Sequence, residues 1–356
     1  MSHRPTIALL APSSDILGGQ SVQAATLCRA LRADGWRVDF VPVNPRFPRG
    51  LGWLRRIPYA RTVLNEALYA AACRAIRRAD VVHIFTASYL SFLLVAAPAL
   101  LAARRFGKRT ILNYHSGEAD DHLRRYGPLV HPWLRLADTI VVPSAYLERV
   151  FARHGHVAEV VPNAIDVERF RFRERSTLRP VCLSNRNLEP HYRVADIVAA
   201  HALVCRAHRD AELVIAGTGS ERERLASLAS SLPPGAARFV GRVEPERMPA
   251  LYDSCDVFVN ASVVDNQPLS ILESFAAGLP VVTTATGDIE AMVRHGDTGL
   301  LVPPRQPGAL AGAVESLLAD PVRARAIARR ARAEVERYRW PAVRQRWEAV
   351  YAGGAG

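Results

Sequence analysis

Four side chains in this 356-residue sequence stand where a fold could turn them onto a ligand: Arg186, Asp265, Glu273 and His115. Arg186 follows a short apolar run and opens Arg186-Asn187-Leu188-Glu189-Pro190-His191-Tyr192-Arg193. If that run is a strand, the guanidinium sits at its carboxyl end, where a planar fork suits a diphosphate. A surface ion pair is the competing use. Asp265 and Glu273 flank a helix start marked by Pro268, which suits a first turn because its missing N–H costs nothing there. The amides around Leu269 and Ser270 are then left open for a diphosphate or a sugar hydroxyl. Glu273, one turn in, can accept from two vicinal ribose hydroxyls. Asp265 can do the same for a sugar ring, or simply cap the helix. His115 ends the run Ile111–Tyr114, where it can bond a sugar hydroxyl or play a structural part.

Two glycine turns add phosphate-type geometry. Pro12 to Gly19 follows the first apolar run and closes on Gly18-Gly19 before a helix, and Gly217-Thr218-Gly219 lies between another strand and helix. Glycines at such turns let a phosphate approach the main chain, although a plain tight turn uses them equally well. Neither is the G-x-G-x-x-G fingerprint, and no Gly-Lys-Ser/Thr occurs, which weakens dehydrogenase and NTPase readings.

These residues need strands ending beside helix starts, and the sequence alternates in that way. The first half predicts strands at Thr6–Ala11, Arg37–Val43, Val81–Phe85, Thr110–Tyr114, Thr139–Val142 and Glu159–Val161, with a helix over Ser21–Asp34 ended by Gly35. The second half predicts strands at Pro180–Ser184, Glu212–Ala216, Arg238–Val240, Val257–Asn260, Val281–Thr284 and Gly299–Val302. Its helices fall at Val194–Ala207, Glu221–Ser231, Pro245–Asp253, Leu269–Ala277 and Gly287–Arg294, with further helices to the C-terminus. Two doubly wound α/β units follow, Rossmann-like, with ligands expected in the cleft where they face each other. The expected division is 1–165, a linker at 166–177, and 178–339, with a closing helix at 340–352 returning to the first domain.

Length supports two domains of about 150–180 residues. The five cysteines are scattered, which argues against a zinc site or disulfide framework and for a reducing compartment. No histidines fall at metal-ligand spacing, and Asp120-Asp121 lacks the separated carboxylates of a divalent-ion site, so no metal is expected. The net charge of +12 is almost wholly arginine, Lys108 being the only lysine. Polyanion attraction and genomic base composition explain that equally well. The run Leu90–Ala103 carries Pro98 and falls short of the roughly 20 residues of a spanning helix. It reads as a buried helix. Thr6–Ala11 is too short for a secretory signal core, so the expected location is the cytoplasm, with peripheral membrane contact at most.

In order and spacing, these pieces resemble the family 4 glycosyltransferases of GT-B architecture over nearly the whole chain. The matching stretches are Gly18-Gly19 with the helix after it, Val161-Pro162-Asn163-Ala164-Ile165-Asp166-Val167-Glu168-Arg169-Phe170, Ala216–Gly219, Phe239-Val240-Gly241-Arg242-Val243, Asp265–Val282 and Thr298–Pro303. The resemblance implies metal-independent, retaining transfer from a nucleoside-diphosphate sugar, with no cofactor. The implied catalytic residues are Arg186, Asp265 and His115. The implied donor-binding residues are Gly18, Gly19, Arg193, Gly217, Gly219, Val243, Asn266, Gln267, Leu269, Ser270 and Glu273. Two departures stand out. Asp265 replaces a glutamate, and the lysine that usually follows the arginine by five residues is His191, which leaves Arg193 as the candidate substitute.

The acceptor is expected to be a glycan, a glycolipid or a small molecule. Arg46, Arg49, Arg55, Arg56 and Arg61, interleaved with Phe47, Trp53 and Tyr59, suit an anionic membrane face as well as they suit a solvated loop. Nucleic acid is not an expected partner, since the arginines are scattered and no recognised module occurs. The alternatives are a nucleotide-sugar epimerase or hydrolase on the same scaffold, or a sugar-nucleotide-binding subunit without catalysis.

Overall fold

The computed structural model describes residues 4–13, 15, 18–48, 50, 53 and 57–353. The chain divides into two compact units: Met1–Ala164 with Val343–Gly356, and Ile165–Ala342. The first unit holds β1 (Ile7–Ala11), β2 (Val38–Pro42), β3 (Val81–Thr86), β4 (Arg109–Tyr114), β5 (Thr139–Val142) and β6 (Glu159–Val160). The second holds β7 (Val181–Asn185), β8 (Glu212–Ala216), β9 (Ala237–Gly241), β10 (Val257–Val259), β11 (Val281–Thr284) and β12 (Leu300–Val302). All pairings are parallel, in the orders β2-β1-β3-β4-β5-β6 and β12-β11-β10-β7-β8-β9.

Parallel strands are covered by helices on both faces, so they read as continuous apolar runs. All five residues of β1 and all six of β3 are buried. In the second sheet, alternate residues feed two separate cores. Leu213, Ile215, Val257 and Val259 pack with Ile197, Val204 and Leu310, whereas Val214, Phe258 and Val281 pack with Ile271, Phe275 and Met292. On the first sheet, the helix Trp340–Ala352 supplies Trp347 and Tyr351. The Tyr351 hydroxyl lies 2.7 Å from His83 Nδ1 within β3.

The strand order reverses direction between β1 and β3 in one sheet and between β7 and β10 in the other. In doubly wound sheets the loops leaving such a switch point splay apart and leave a crevice at the strands' carboxyl ends. The residues that follow β7 and β10 therefore set what the second sheet presents.

Three details differ from the sequence reading. The helix expected over 287–294 spans only Ile289–Met292, because the Thr298 hydroxyl accepts from the Arg294 amide and draws the chain away at Val293. The run Leu90–Ala103 lies in the helix Leu90–Arg105, but only one face is covered: Phe92, Ala96 and Leu100 are buried while Leu90 and Leu101 are exposed. The helix Leu269–Ala277 has the expected bounds, but Pro268 is its cap residue instead of part of its first turn.

The segment expected as a linker, 166–177, packs into the second unit. Arg175 is 2% exposed and Asp256 1%. Arg175 Nε donates to Asp256 Oδ1 at 3.1 Å, Arg173 reaches the same oxygen at 2.6 Å, and Arg179 takes the other at 2.9 Å. Burial disfavours the Asp256 charge, yet the bonds from Arg179 and Arg173 hold its pKa down at about 2. Burial, then the neighbouring Arg173, lowers Arg175 to about 10, and it remains a cation at neutral pH. Its remaining N–H groups cover main-chain carbonyls of Tyr252, Cys255, Ala277 and Gly278 at 2.7–3.2 Å. Two helices, Met248–Ser254 and Leu269–Ala277, thus end on one guanidinium, the sign that a helix C-terminus favours. Arg175→Met leaves Asp256 short of a partner and those carbonyls uncovered. It is expected to destabilise the second unit by about 3 kcal/mol, read by urea unfolding.

Candidate active site

The second unit assembles most of the expected residues at its switch point. Arg186 directly follows β7, and Asp265 lies on the loop after β10. Arg186 Nη2 donates to Asp265 Oδ2 at 2.6 Å, and Nη1 donates to Ser270 Oγ at 3.2 Å. The guanidinium lies 4.2 Å from the centre of the Tyr192 ring. This is no surface pair, since the two side chains are only 10% and 9% exposed. Nε is buried and unpartnered. A buried guanidinium N–H without an acceptor is costly.

Asp265 is held from two sides, its other oxygen accepting from the Asn266 amide at 3.0 Å. Beyond it, Asn266 and Gln267 are buried, and the helix Leu269–Ala277 begins at Pro268 with no side chain capping its first turn. That leaves its first amides as anion donors. Glu273 sits one turn along on the same helix. Its Oε2 accepts from the Tyr252 hydroxyl at 2.7 Å, and Asn185, at the end of β7, donates to that hydroxyl at 3.1 Å. Burial pushes the Glu273 carboxyl up to about 7, with the Tyr252 hydrogen bond and the Arg169 charge opposing.

Two glycines set the positions of the paired charges. A Cβ on Gly217 (φ +130°) would stand 2.1 Å from the Arg186 carbonyl oxygen, and one on Gly287 (φ +57°) 1.9 Å from that of Asp265. Gly219 likewise lies against the Leu188 carbonyl, where a Cβ would come within 2.4 Å. Gly217 and Gly219 therefore have a packing reason to be glycine. Gly18 and Gly19 have none: Gly18 is extended (φ −179°), and a Cβ at either position would meet nothing within 4 Å.

The remaining residues fall elsewhere. Arg193 adopts a left-handed conformation (φ 51°) at the start of the helix Val194–Ala207, and its fork closes on Asp196 at 2.9 and 2.7 Å. The His191 ring packs on Tyr192 with centres 4.2 Å apart. Val243 lies in the loop beyond β9. In the first unit, Gly19 opens the helix Gly19–Ala33 after β1, and His115 follows β4. The His115 amide donates to Thr86 at 3.0 Å and its ring stacks on Phe85 at 5.0 Å. Its Nε2 is buried without a partner, and burial lowers the imidazole to about 3. It is therefore a neutral hydrogen-bonding group. Ser14, Ile16, Leu17, Arg49, Arg55 and Arg56 lie outside the described residues. Among the described residues, no group of three or more His, Cys, Asp or Glu is arranged to hold a metal ion.

Sequence reasoning missed Tyr252, Asn185, Tyr192 and Gly287. Tyr252 lies in an apolar helical pattern and looks like plain core. Gly287, which follows β11 as Gly217 follows β8, carried the one recoverable signal.

The Glu273 shift has a consequence for stability. A carboxyl raised from 4.5 to about 7 holds its proton more tightly when folded. The stability this gives is fully present below the unfolded value and lost as pH rises through 7. Glu273→Gln does not titrate, so relative to the unmodified chain it is expected to gain on the order of 2 kcal/mol between pH 4.5 and pH 8, the carboxyl being partly exposed. Thermal midpoints across that range measure it.

Comparison with known proteins agrees with this fold. Residues 17–169 match the family described as Glycosyltransferase Family 4, and residues 166–334 match Glycosyl transferases group 1. The chain is 32% identical to glycogen synthase of Mycobacterium tuberculosis over 71% of its own length and 63% of that protein's, so part of that relative lies beyond the match. It is 33% identical to the GDP-mannose-dependent alpha-(1-6)-phosphatidylinositol monomannoside mannosyltransferase of Mycolicibacterium smegmatis, covering 65% of this chain and 68% of that one. Sucrose-phosphate synthase from Thermosynechococcus elongatus shares the fold, with a TM-score of 0.81 at 22% identity and 98% coverage of both chains. With two doubly wound parallel sheets of GT-B type and both halves matched, this chain belongs to the family 4 glycosyltransferases.

Proposed function

We propose that this chain is a retaining, metal-independent glycosyltransferase that moves a hexose from a nucleoside-diphosphate sugar to a hydroxyl of a glycan, glycolipid or small-molecule acceptor. The observation that carries this reading is Arg186: a nearly buried guanidinium, clamped by Asp265 and Ser270, whose Nε–H is buried without a partner. Breaking the bond between the sugar and the diphosphate leaves negative charge on the departing phosphate. Fixed cations and amides stabilise that charge by about 3 kcal/mol each in the transition state. Arg186 and the first turn at Leu269 and Ser270 fill this role, and Gly19 offers its main-chain amide to the diphosphate, whereas the Gly18 amide donates to Ser21 Oγ at 3.1 Å and serves only to shape the turn. Asp265 and His115 hold sugar hydroxyls, Glu273 holds the ribose, and Asn266, Gln267 and Val243 line the donor site. Gly217 and Gly219 act by letting the Arg186 loop close down. The hexose assignment draws on the glycogen and mannosyl relatives. Arg186→Ala is expected to lower turnover at least ~100-fold in an acceptor-dependent assay with UDP-, GDP- and ADP-hexoses. Unchanged turnover removes the role.

A second reading, donor binding without transfer to an acceptor, draws on Arg193. Its fork closes on Asp196, so it adds no second cation beside Arg186. The acceptor arm of that same assay separates the two, because a hydrolase or epimerase consumes donor without acceptor.

The acceptor side has a surface to match a peripheral, cytoplasmic membrane-face location. Trp53, Ile57, Tyr59 and Val63 are 44–87% exposed, and Arg46 and Arg61 lie beside them in sequence. Aromatic and basic residues together suit an anionic interface. Among the described residues, no helix is long and apolar enough to cross a membrane. The chain is expected to float with vesicles containing anionic phospholipid and to stay behind with neutral ones at moderate salt. Tyr59→Ser with Val63→Ser should abolish flotation.

A further inference from the structure

Tyr252 is completely buried, yet its hydroxyl is the meeting point of two elements of the candidate site. It lies 2.7 Å from Glu273 Oε2 and 3.3 Å from the Ser270 carbonyl, and it accepts from Asn185 Nδ2 at 3.1 Å. A phenol has one proton. The Glu273 oxygen accepts the hydrogen bond, being closer, and the Ser270 carbonyl is left as a neighbour. The ring has no freedom to follow another partner. Phe170 meets it edge-on at 5.6 Å, and Phe258 stacks on it at 6.3 Å. Its own main-chain carbonyl is covered by Arg175.

We propose that Tyr252 is a positioning residue for nucleotide recognition. It fixes the Glu273 carboxylate for the ribose hydroxyls and, through Asn185, registers that carboxylate against the strand end that carries Arg186. Tyr252 does not touch the nucleotide. One Glu273 oxygen is held by the phenol, so the carboxylate cannot swing, and its remaining lone pairs point in a constant direction. The inference rests on the reading of Glu273 as the ribose acceptor.

The groups facing Glu273 support this arrangement. Burial, then the Glu273 charge, keeps the Tyr252 phenol well above the usual tyrosine range, so it is a donor at every working pH. The Arg169 charge, from the turn Val167–Arg169, acts on Glu273, and the Arg186 charge acts on Tyr252. Removing the phenolic hydrogen bond takes away one of the two influences that favour the Glu273 carboxylate, leaving Arg169 alone against burial.

Calorimetric titration of the intact chain tests this. The probes are UDP, GDP and ADP, the 2′-deoxy counterpart of whichever binds tightest, and the matching monophosphate. The unmodified chain is expected to prefer the ribonucleotide to its 2′-deoxy form about tenfold, and Tyr252→Phe to reduce that preference to about twofold. In Tyr252→Phe the pH midpoint of nucleotide binding should rise by about one unit, while the preference for diphosphate over monophosphate, an Arg186 property, stays unchanged. Asn185→Ala leaves the phenol in place and is expected to lose part of the ribose preference, so it decides the matter should Tyr252→Phe fold poorly. Full ribose preference with an unmoved pH midpoint in the variant that folds overturns the proposal. Absence of any ribose preference in the unmodified chain overturns the Glu273 reading instead, and the two failures are distinct.

Discussion

The second unit is organised around one buried ion, Arg175. A guanidinium taken out of water must find an acceptor for every N–H or cost several kcal/mol. Here Asp256 supplies the charge and the ends of two helices supply the carbonyls. The carbonyl set includes Tyr252 and Ala277, so the same ion fixes the helix that carries the Glu273 carboxylate and the helix that carries its phenolic partner. The apolar cores on the two faces of the sheet supply cohesion. Direction comes from the ion: a helix seated on a cation at its C-terminus presents its N-terminus at a set height, and that N-terminus is where Leu269 and Ser270 lie.

Two carboxyl groups on one short stretch have different surroundings. Asp265 accepts from the Arg186 guanidinium and from its loop amide. Glu273 faces a phenol at contact distance and only a more distant guanidinium, and burial pushes it toward neutrality. The shorter side chain at 265 fits this arrangement. Its carboxylate is bonded to the Arg186 fork at 2.6 Å, so the main chain behind it must come close, and it does so at Gly287.

Much of the fold was legible because central parallel strands buried on both faces are written as short apolar runs, as in β1 and β10, whereas the edge strands β6 and β9 are more exposed. The loops were legible to a lesser degree. Arg186, Asp265 and Ser270 could be named because they follow strands, but nothing in their types reported that they bond one another. Arg193 shows the limit clearly. As a residue type it looked like a second phosphate cation, whereas its geometry depends on Asp196 three residues on. Arg175 was invisible for a related reason. It sits in an aperiodic, charged segment that reads as solvated, and only the tertiary arrangement brings Asp256 and four carbonyls to it. Tyr252 failed in the opposite direction, since an apolar helical pattern conceals a hydroxyl that has a use.

The glycines at 217 and 287 contribute no side-chain atom to any ligand, yet each marks where a neighbouring carbonyl must pass. This separates two layers of evolvability. On the proposed donor-site reading, Val243, in the loop beyond β9, can vary and retune which sugar is welcome. The two glycines cannot, because any methyl there displaces Arg186 or Asp265 with its loop. A mutational library that spares positions 217 and 287 while varying that loop therefore leaves the ion pair of Arg186 and Asp265 in place.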